Sequence, residues 1–184
     1  GVGWRKYLRG VLPGGGAGEY ARTHGHCHVL APECRLGHPE LYHVVHGEGW
    51  FVLQRPRPNG KEVVVLRAKA GQYVLVSPGW GHVTVNVGDV PLVAANWVGR
   101  AFRSSYSEFR ARQRPACYVL EGPGGPELCW NPAYGGPGRV VVADTRVPDG
   151  LGVCEGEPSY PLVLYGRRCL EFLVDPASWC RILP

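Results

Sequence analysis

The chain has 184 residues, among them 27 glycines, 17 prolines, seven cysteines and no methionine. At 45% hydrophobic and 19% charged residues it is not a disordered chain, and its Gly and Pro content works against long helices. No apolar run reaches the ~20 residues that span a bilayer, and the net charge of +5 suits a surface that attracts small anions.

In chain order, short apolar runs broken by Gly/Pro turns predict strands at 41–45, 50–54, 62–66, 72–76, 82–87, 92–98, 117–121, 139–143, 161–165 and 170–174. The intervening His46-Gly47-Glu48-Gly49, Arg57-Pro58-Asn59-Gly60 and Val87-Gly88-Asp89-Val90 are turn sequences. Strands at this spacing predict an all-β antiparallel sandwich or barrel. Helix is expected over 104–112. A short turn is expected at 175–179, with Asp175 as N-cap and Pro176 at the first helical position.

Trp4-Arg5-Lys6 interrupts the start, so no signal peptide is read there. Gly1 is expected to follow an excised initiator Met, giving a complete cytoplasmic chain. The basic cluster Arg100, Arg103, Arg110, Arg112 and Arg114 carries interleaved aromatics but no recognisable nucleic-acid module, so nucleic acid is not an expected partner. The cysteines contain no C-x-x-C pair and are expected mostly as reduced thiols. One or two disulfides would fit a hyperthermophilic source, toward which the missing Met and the Arg, Pro, Val and Tyr richness point.

The most informative segments are Thr23-His24-Gly25-His26-Cys27-His28, Glu40-Leu41-Tyr42 and Gly81-His82-Val83-Thr84-Val85-Asn86. Residues i and i+2 of a strand share a face, so His26 and His28 can bind one metal together. Glu40 adds a carboxylate and His82 a third imidazole. Such a set suits Fe, Mn, Ni, Co or Zn with positions left open. His24 competes in register, since His24 and His26 share the same face.

This arrangement resembles the cupin superfamily. Six residues separate Glu40 from Gly47 and three separate His82 from Asn86, as in the two cupin motifs, while Gly71 and Pro78 lie one residue off the general spacing. Within cupins, Val11-Leu12-Pro13-Gly14, the two histidine blocks, Leu53-Gln54, Tyr118-Val119-Leu120-Glu121 and Asn131-Pro132 are similar in order to the archaeal cupin-type phosphoglucose isomerases. The likeness covers about 8–134. Residues 141–145 and 167–179 resemble that family's N-terminal extension moved to the C-terminus, which implies a circular permutation with its seam near 132–140. The expected domain is thus a single cupin jelly-roll barrel over 1–184. Its metal-binding core spans about 8–134, and an extension of about 135–184 packs on the same sheet.

The resemblance implies interconversion of glucose 6-phosphate and fructose 6-phosphate, a step of glycolysis and gluconeogenesis. It implies metal ligation by His26, His28, Glu40 and His82 and catalytic roles for Glu40, His82 and Tyr42. Substrate contacts fall on Thr23, Gly25, Tyr42 and Tyr106, and the expected assembly is a homodimer. Three departures bear on this. Eleven residues separate His28 from Glu40, longer than usual, and the loop holds Glu33, which fits a shorter spacing but lacks the following Leu-Tyr and Gly. Cys27 and Gly79 replace family aromatics and thin the sugar-binding wall. The alternatives are a dioxygenase-type metal cupin and a non-catalytic sugar-binding cupin.

Overall fold

The computed structural model describes residues 4–16, 18–32, 34–148, 151, 153–162 and 170–179. Among the described residues, fourteen strands run in chain order as β1 (Trp4–Val11), β2 (Gly15–Gly16), β3 (Glu19–Tyr20), β4 (Cys27–His28), β5 (Glu40–His46), β6 (Glu48–Arg57) and β7 (Gly60–Lys69). They continue as β8 (Tyr73–Val76), β9 (Gly81–Asn86), β10 (Leu92–Gly99), β11 (Ser104–Ser105), β12 (Cys117–Gly122), β13 (Gly125–Trp130) and β14 (Arg139–Asp144). The all-β cupin jelly-roll expected from the sequence is present. Its core is two facing four-stranded sheets, ordered β1-β10-β5-β8 and β14-β7-β6-β9, rather than one continuous hydrogen-bonded ring, with a third four-stranded sheet, β13-β12-β3-β2, and the β11-β4 pair beside them.

Three apolar layers follow. Between the sheets, Tyr42, Val44, Val74, Val76, Leu92 and Ala94 meet Phe51, Leu53 and Ala68. Outside the second sheet, Val52, Val63, Val65, Val83 and Val85 pack on Phe109, Cys117, Val119 and Tyr134. Outside the first, Leu41, Tyr73 and Trp97 are covered by Leu151, Leu170, Phe172 and Leu173. A sheet covered on both faces explains the unbroken Val63-Val64-Val65-Leu66 run, which could not alternate without exposing a covered face.

The Glu40-to-Gly47 spacing has a mechanical origin. Gly47 turns the chain from β5 into β6 at φ +76°, and a Cβ there would stand 2.8 Å from the Pro91 carbonyl oxygen. Only glycine meets both demands.

Residues 170–174 are not a strand as expected. Glu171–Val174 form one helical turn, because Leu170, Phe172 and Leu173 are buried while Glu171 is exposed, a spacing that a helix and not a strand puts on one face. Of the strand expected at 161–165, Pro161 and Leu162 are helical and the rest lies outside the described residues. The helix expected over 104–112 begins only at Ser107, since Ser104–Ser105 pair with β4. Asp175 accepts from the Ala177 amide at 3.1 Å and starts a 3-10 turn at Pro176–Ser178, as expected.

β14 runs parallel to β7, and the turn at Glu171–Val174 contacts β10. Cys27, Cys34, Cys117, Cys129 and Cys154 are free thiols, and Cys169 and Cys180 lie outside the described residues. Among the described residues no helix is long and apolar enough to cross a membrane.

Candidate metal centre

His82 sits on β9 opposite Leu53, and a backbone bridge joins it to His26. His26 N–H donates to the His82 carbonyl and His82 N–H to that of His26, at 3.1 and 2.9 Å. From that anchor the chain runs extended through β4, so His28 follows His26 on the inner face. Cys27 points the other way, its Sγ 3.8 Å from Glu108 Oε2. Gly25 just before is tight against the outer layer: a Cβ there would fall 2.2 Å from the Phe109 ring. Glu40 comes from the facing sheet, at the start of β5, with Asn96 on β10 as a near neighbour.

The four side chains converge. Glu40 Oε2 lies 3.2 Å from His28 Nε2, 3.3 Å from His82 Nε2 and 3.8 Å from His26 Nε2. All four residues are buried, and their potential ligand atoms lie within 4.8 Å of one another. His24, the register competitor, is exposed and stands outside this cluster, while Glu33 lies outside the described residues.

His26 Nε2, His28 Nε2, Glu40 Oε2 and His82 Nδ1 are buried without a hydrogen-bond partner. Orphaned buried polar atoms are costly. His26 Nε2, His28 Nε2 and Glu40 Oε2 lie around one space that His82 faces through its Nε2, and this fits a bound cation. Three imidazoles and one carboxylate form a donor set suited to a divalent transition metal. The outer partners are in place as well. His28 Nδ1–H donates to the His38 carbonyl, which leaves Nε2 with its lone pair facing inward. The Asn96 amide donates to Glu40 Oε1 and leaves Oε2 free.

Charge follows the same plan. Burial pushes Glu40 up, yet the imidazoles of His28 and His82 close to its Oε2 outweigh it and hold the carboxyl well below the usual range. Burial, then the neighbouring His82, brings His26 down to about 3. Burial also lowers His82, against the pull of Glu40. Burial and the Glu40 charge drive the Tyr42 phenol well above its ordinary value, so it stays neutral.

Tyr42 places its hydroxyl 2.9 Å from His82 Nε2. Tyr106 is half-buried, its ring centroid 5.5 Å from that of His26 and 5.8 Å from that of His24. Thr23 Oγ1 accepts from the Thr84 amide at 3.0 Å, which leaves its own proton to donate. Gly25 is buried and can offer only backbone. Sequence reasoning missed Asn96, the His38 carbonyl and Phe102, whose ring lies 4.6 Å from that of His28. Asn96 did carry a signal, being one amide inside the otherwise apolar 92–98.

Comparison with known proteins decides the family. A model of the family described as Glucose-6-phosphate isomerase (GPI) matches residues 7–129, well over half of the chain. The chain belongs to the glucose-6-phosphate isomerase family. Relatives named glucose-6-phosphate isomerase include those of Thermococcus onnurineus, 37% identical over 83 residues, and Pyrococcus furiosus, 35% identical over 83 residues. In both cases the match covers 45% of this chain and 40% of the relative. The likeness thus spans less than half the length of these relatives. Among solved structures, a cupin-like protein of Thermotoga maritima aligns with TM-score 0.36 at 23% identity, over 51% of this chain and 55% of that one. An oxalate decarboxylase of Bacillus subtilis aligns with TM-score 0.44 at 18% identity, over 61% and 26%.

Proposed function

We propose that this protein is a metal-dependent aldose–ketose isomerase that interconverts glucose 6-phosphate and fructose 6-phosphate. The observation that carries this reading is the buried cluster of His26, His28, Glu40 and His82, with His26 Nε2, His28 Nε2 and Glu40 Oε2 unpartnered, in a chain of this family. In this reading the four residues hold one divalent ion from among Fe, Mn, Ni, Co and Zn. The ion supplies electrophilic stabilisation of negative charge on the substrate oxygens at C1 and C2.

The chain's own residues move the protons. Glu40, kept ionised, takes the C2 proton of the open-chain aldose as the electron pair shifts to form the C1–C2 double bond. The O2 hydroxyl proton passes to O1 with the neutral Tyr42 hydroxyl as relay. Glu40 then returns its proton to C1, leaving a ketone at C2. The Tyr42 hydroxyl, 2.9 Å from His82 Nε2, stands beside the ion site and is released toward the substrate once that nitrogen serves as a ligand. Thr23 and Tyr106 donate to the sugar phosphate and its hydroxyls, and Gly25 offers backbone alone.

Fructose 6-phosphate added to metal-loaded protein tests the reading. Glucose 6-phosphate is the expected product. An oxygen-dependent product, or binding without turnover, overturns it.

The same reading makes the protein a cytoplasmic homodimer of one cupin domain. The dimer is supported by Leu8, Leu12, Val45 and Val90, large apolar side chains left exposed. The single domain is supported by β14 on β7 and by Leu170, Phe172 and Leu173 on the first sheet, which fit a permuted extension. Sedimentation at micromolar concentration tests the dimer, with a monomer as the adverse result.

A further inference from the structure

We propose that Arg9 is the anion anchor of the site, the residue that selects a phosphorylated sugar over the unphosphorylated one. The proposal rests on the isomerase reading above and names the group that grips the far end of the substrate.

The geometry begins with register. β1 pairs antiparallel with β10 as Tyr7↔Asn96, Arg9↔Ala94 and Val11↔Leu92. Ala94 and Leu92 belong to the layer between the sheets, and Asn96 holds Glu40. Residues paired across a ladder share a face, so Tyr7, Arg9 and Val11 present themselves to the inner side. The alternate residues confirm the phase. Trp4 donates its indole N–H to the Leu170 carbonyl, and Lys6 sits 5.3 Å over the Trp97 ring, both on the outer side.

A second contact fixes β1 relative to the histidines. Asn86, four residues beyond His82 on β9, donates its side-chain amide to the Val11 carbonyl at 2.9 Å. β1 therefore leans across to β9 at Val11, and Arg9, two residues earlier on the same face, faces the level of Thr84 and His82.

Arg9 is also uncommitted. Arg22, Arg55, Arg57, Arg67, Arg114 and Arg139 all face carboxylates. Among the described residues no carboxylate pairs with Arg9, whose guanidinium rests 5.7 Å from the centre of the Tyr7 ring. An exposed guanidinium on the row of β1 that pairs with the inner-facing residues of β10, without a carboxylate partner among the described residues, matches the bidentate geometry of a phosphate. A sugar bound by its C1 and C2 oxygens at the histidines has its C6 phosphate at the other end of the chain, directed outward. In this proposal Arg9 meets that phosphate from the β1 side.

The test uses metal-loaded wild type, Arg9→Ala and Arg9→Lys. Arg9→Ala should raise KM for fructose 6-phosphate by about 10- to 100-fold, the range of lost charge-assisted hydrogen bonds. Its kcat should change by less than about threefold, since the grip is the same in ground and transition states. Arg9→Lys should fall between, and metal content should match wild type in all three. The affinity for inorganic phosphate, measured by calorimetry, should weaken in parallel. Unchanged KM and phosphate affinity in Arg9→Ala overturn the proposal, as does a loss of metal, which would make Arg9 a structural residue. If wild type itself does not isomerise the sugar, the isomerase reading fails. Phosphate calorimetry then decides Arg9 alone: weaker binding in Arg9→Ala upholds an anion anchor, and equal binding removes it.

Discussion

Asn96 on β10 gives its side-chain amide to Oε1 of Glu40 on β5, and so turns the other carboxylate oxygen toward three imidazoles. Its own Oδ1 is buried without a partner. Asn96→Leu keeps the volume but strips the buried Glu40 Oε1 of its donor, so the metal-free protein should lose about 1–3 kcal/mol of stability. Metal affinity should fall by about 10- to 100-fold as the carboxylate loses its orientation. A calorimetric metal titration checks this, and wild-type affinity in the variant makes Asn96 dispensable.

Glu40→Gln should leave the fold intact and cut isomerase turnover by about 10²- to 10⁴-fold, the usual worth of a proton-transferring group. Tyr106→Phe loses one hydrogen bond and should cost no more than about tenfold. Metal content must be measured beside the rate, because an empty site imitates a lost base. Near-native turnover by a metal-replete Glu40→Gln protein would leave Glu40 as a ligand only and move the proton shuttle to Tyr42 or His24.

Metal should stabilise the chain. At a free concentration 100-fold above Kd, binding adds about 2.7 kcal/mol. For a domain of this size each kcal/mol shifts Tm by roughly 2–4 °C, so a rise of about 5–11 °C is expected. His82→Ala should abolish the rise. A melting curve with and without metal and chelator reads both.

Gly25→Ala should disturb the site without touching a ligand. The new Cβ would lie 2.2 Å and 2.5 Å from two Phe109 ring carbons and 2.6 Å from a Val83 methyl, none of which can swing clear. Forced overpacking costs typically about 1–3 kcal/mol, and the strand carrying His26 must shift to relieve it. Lower Tm together with weaker metal binding is expected, with partial recovery on adding Phe109→Leu. Unchanged values for both in the alanine variant would show that the strand relaxes freely.

Burial pushes the Cys117 thiol up to about 11. Only the thiolate reacts, and a raised pKa leaves almost none at pH 8, so Cys117 should resist alkylation until the protein unfolds. Cys154 is exposed and should react in the native state. Peptide mapping after iodoacetamide at pH 8 distinguishes them.

The meeting of His26, His28, Glu40 and His82 was legible because chemistry and period coincided. His26 and His28 are spaced for one strand face, and Gly47 and Asn86 mark turns that follow a ligand at fixed distance. β1 was not legible. As an edge strand it carries Arg5, Lys6, Tyr7 and Arg9, too polar to read as a strand, and only its pairing with β10 reveals that alternate members face inward. The helical turn at Glu171–Val174 was misread because Leu-Glu-Phe-Leu-Val satisfies either period over so short a run, and burial against Trp97 and Leu41 decides it. Thr23 and Gly25 were found by resemblance, but the hydrogen bond to Thr84 and the press of Phe109 needed the folded chain.

Asn86 donates to the carbonyls of both Val11 and Val90 and accepts from the Gly88 amide. One side chain thereby fastens β1, β9 and the link to β10, at the seam where the two sheets meet. Such a rivet makes the seam cooperative: β1 cannot lift a little, because the first step away from β9 leaves a buried amide with a vacant bond. The mouth should therefore open rarely and as a unit, with the β1 amides exchanging their hydrogens together. Exchange there would then report the local unfolding of the seam rather than the independent breathing of single amides.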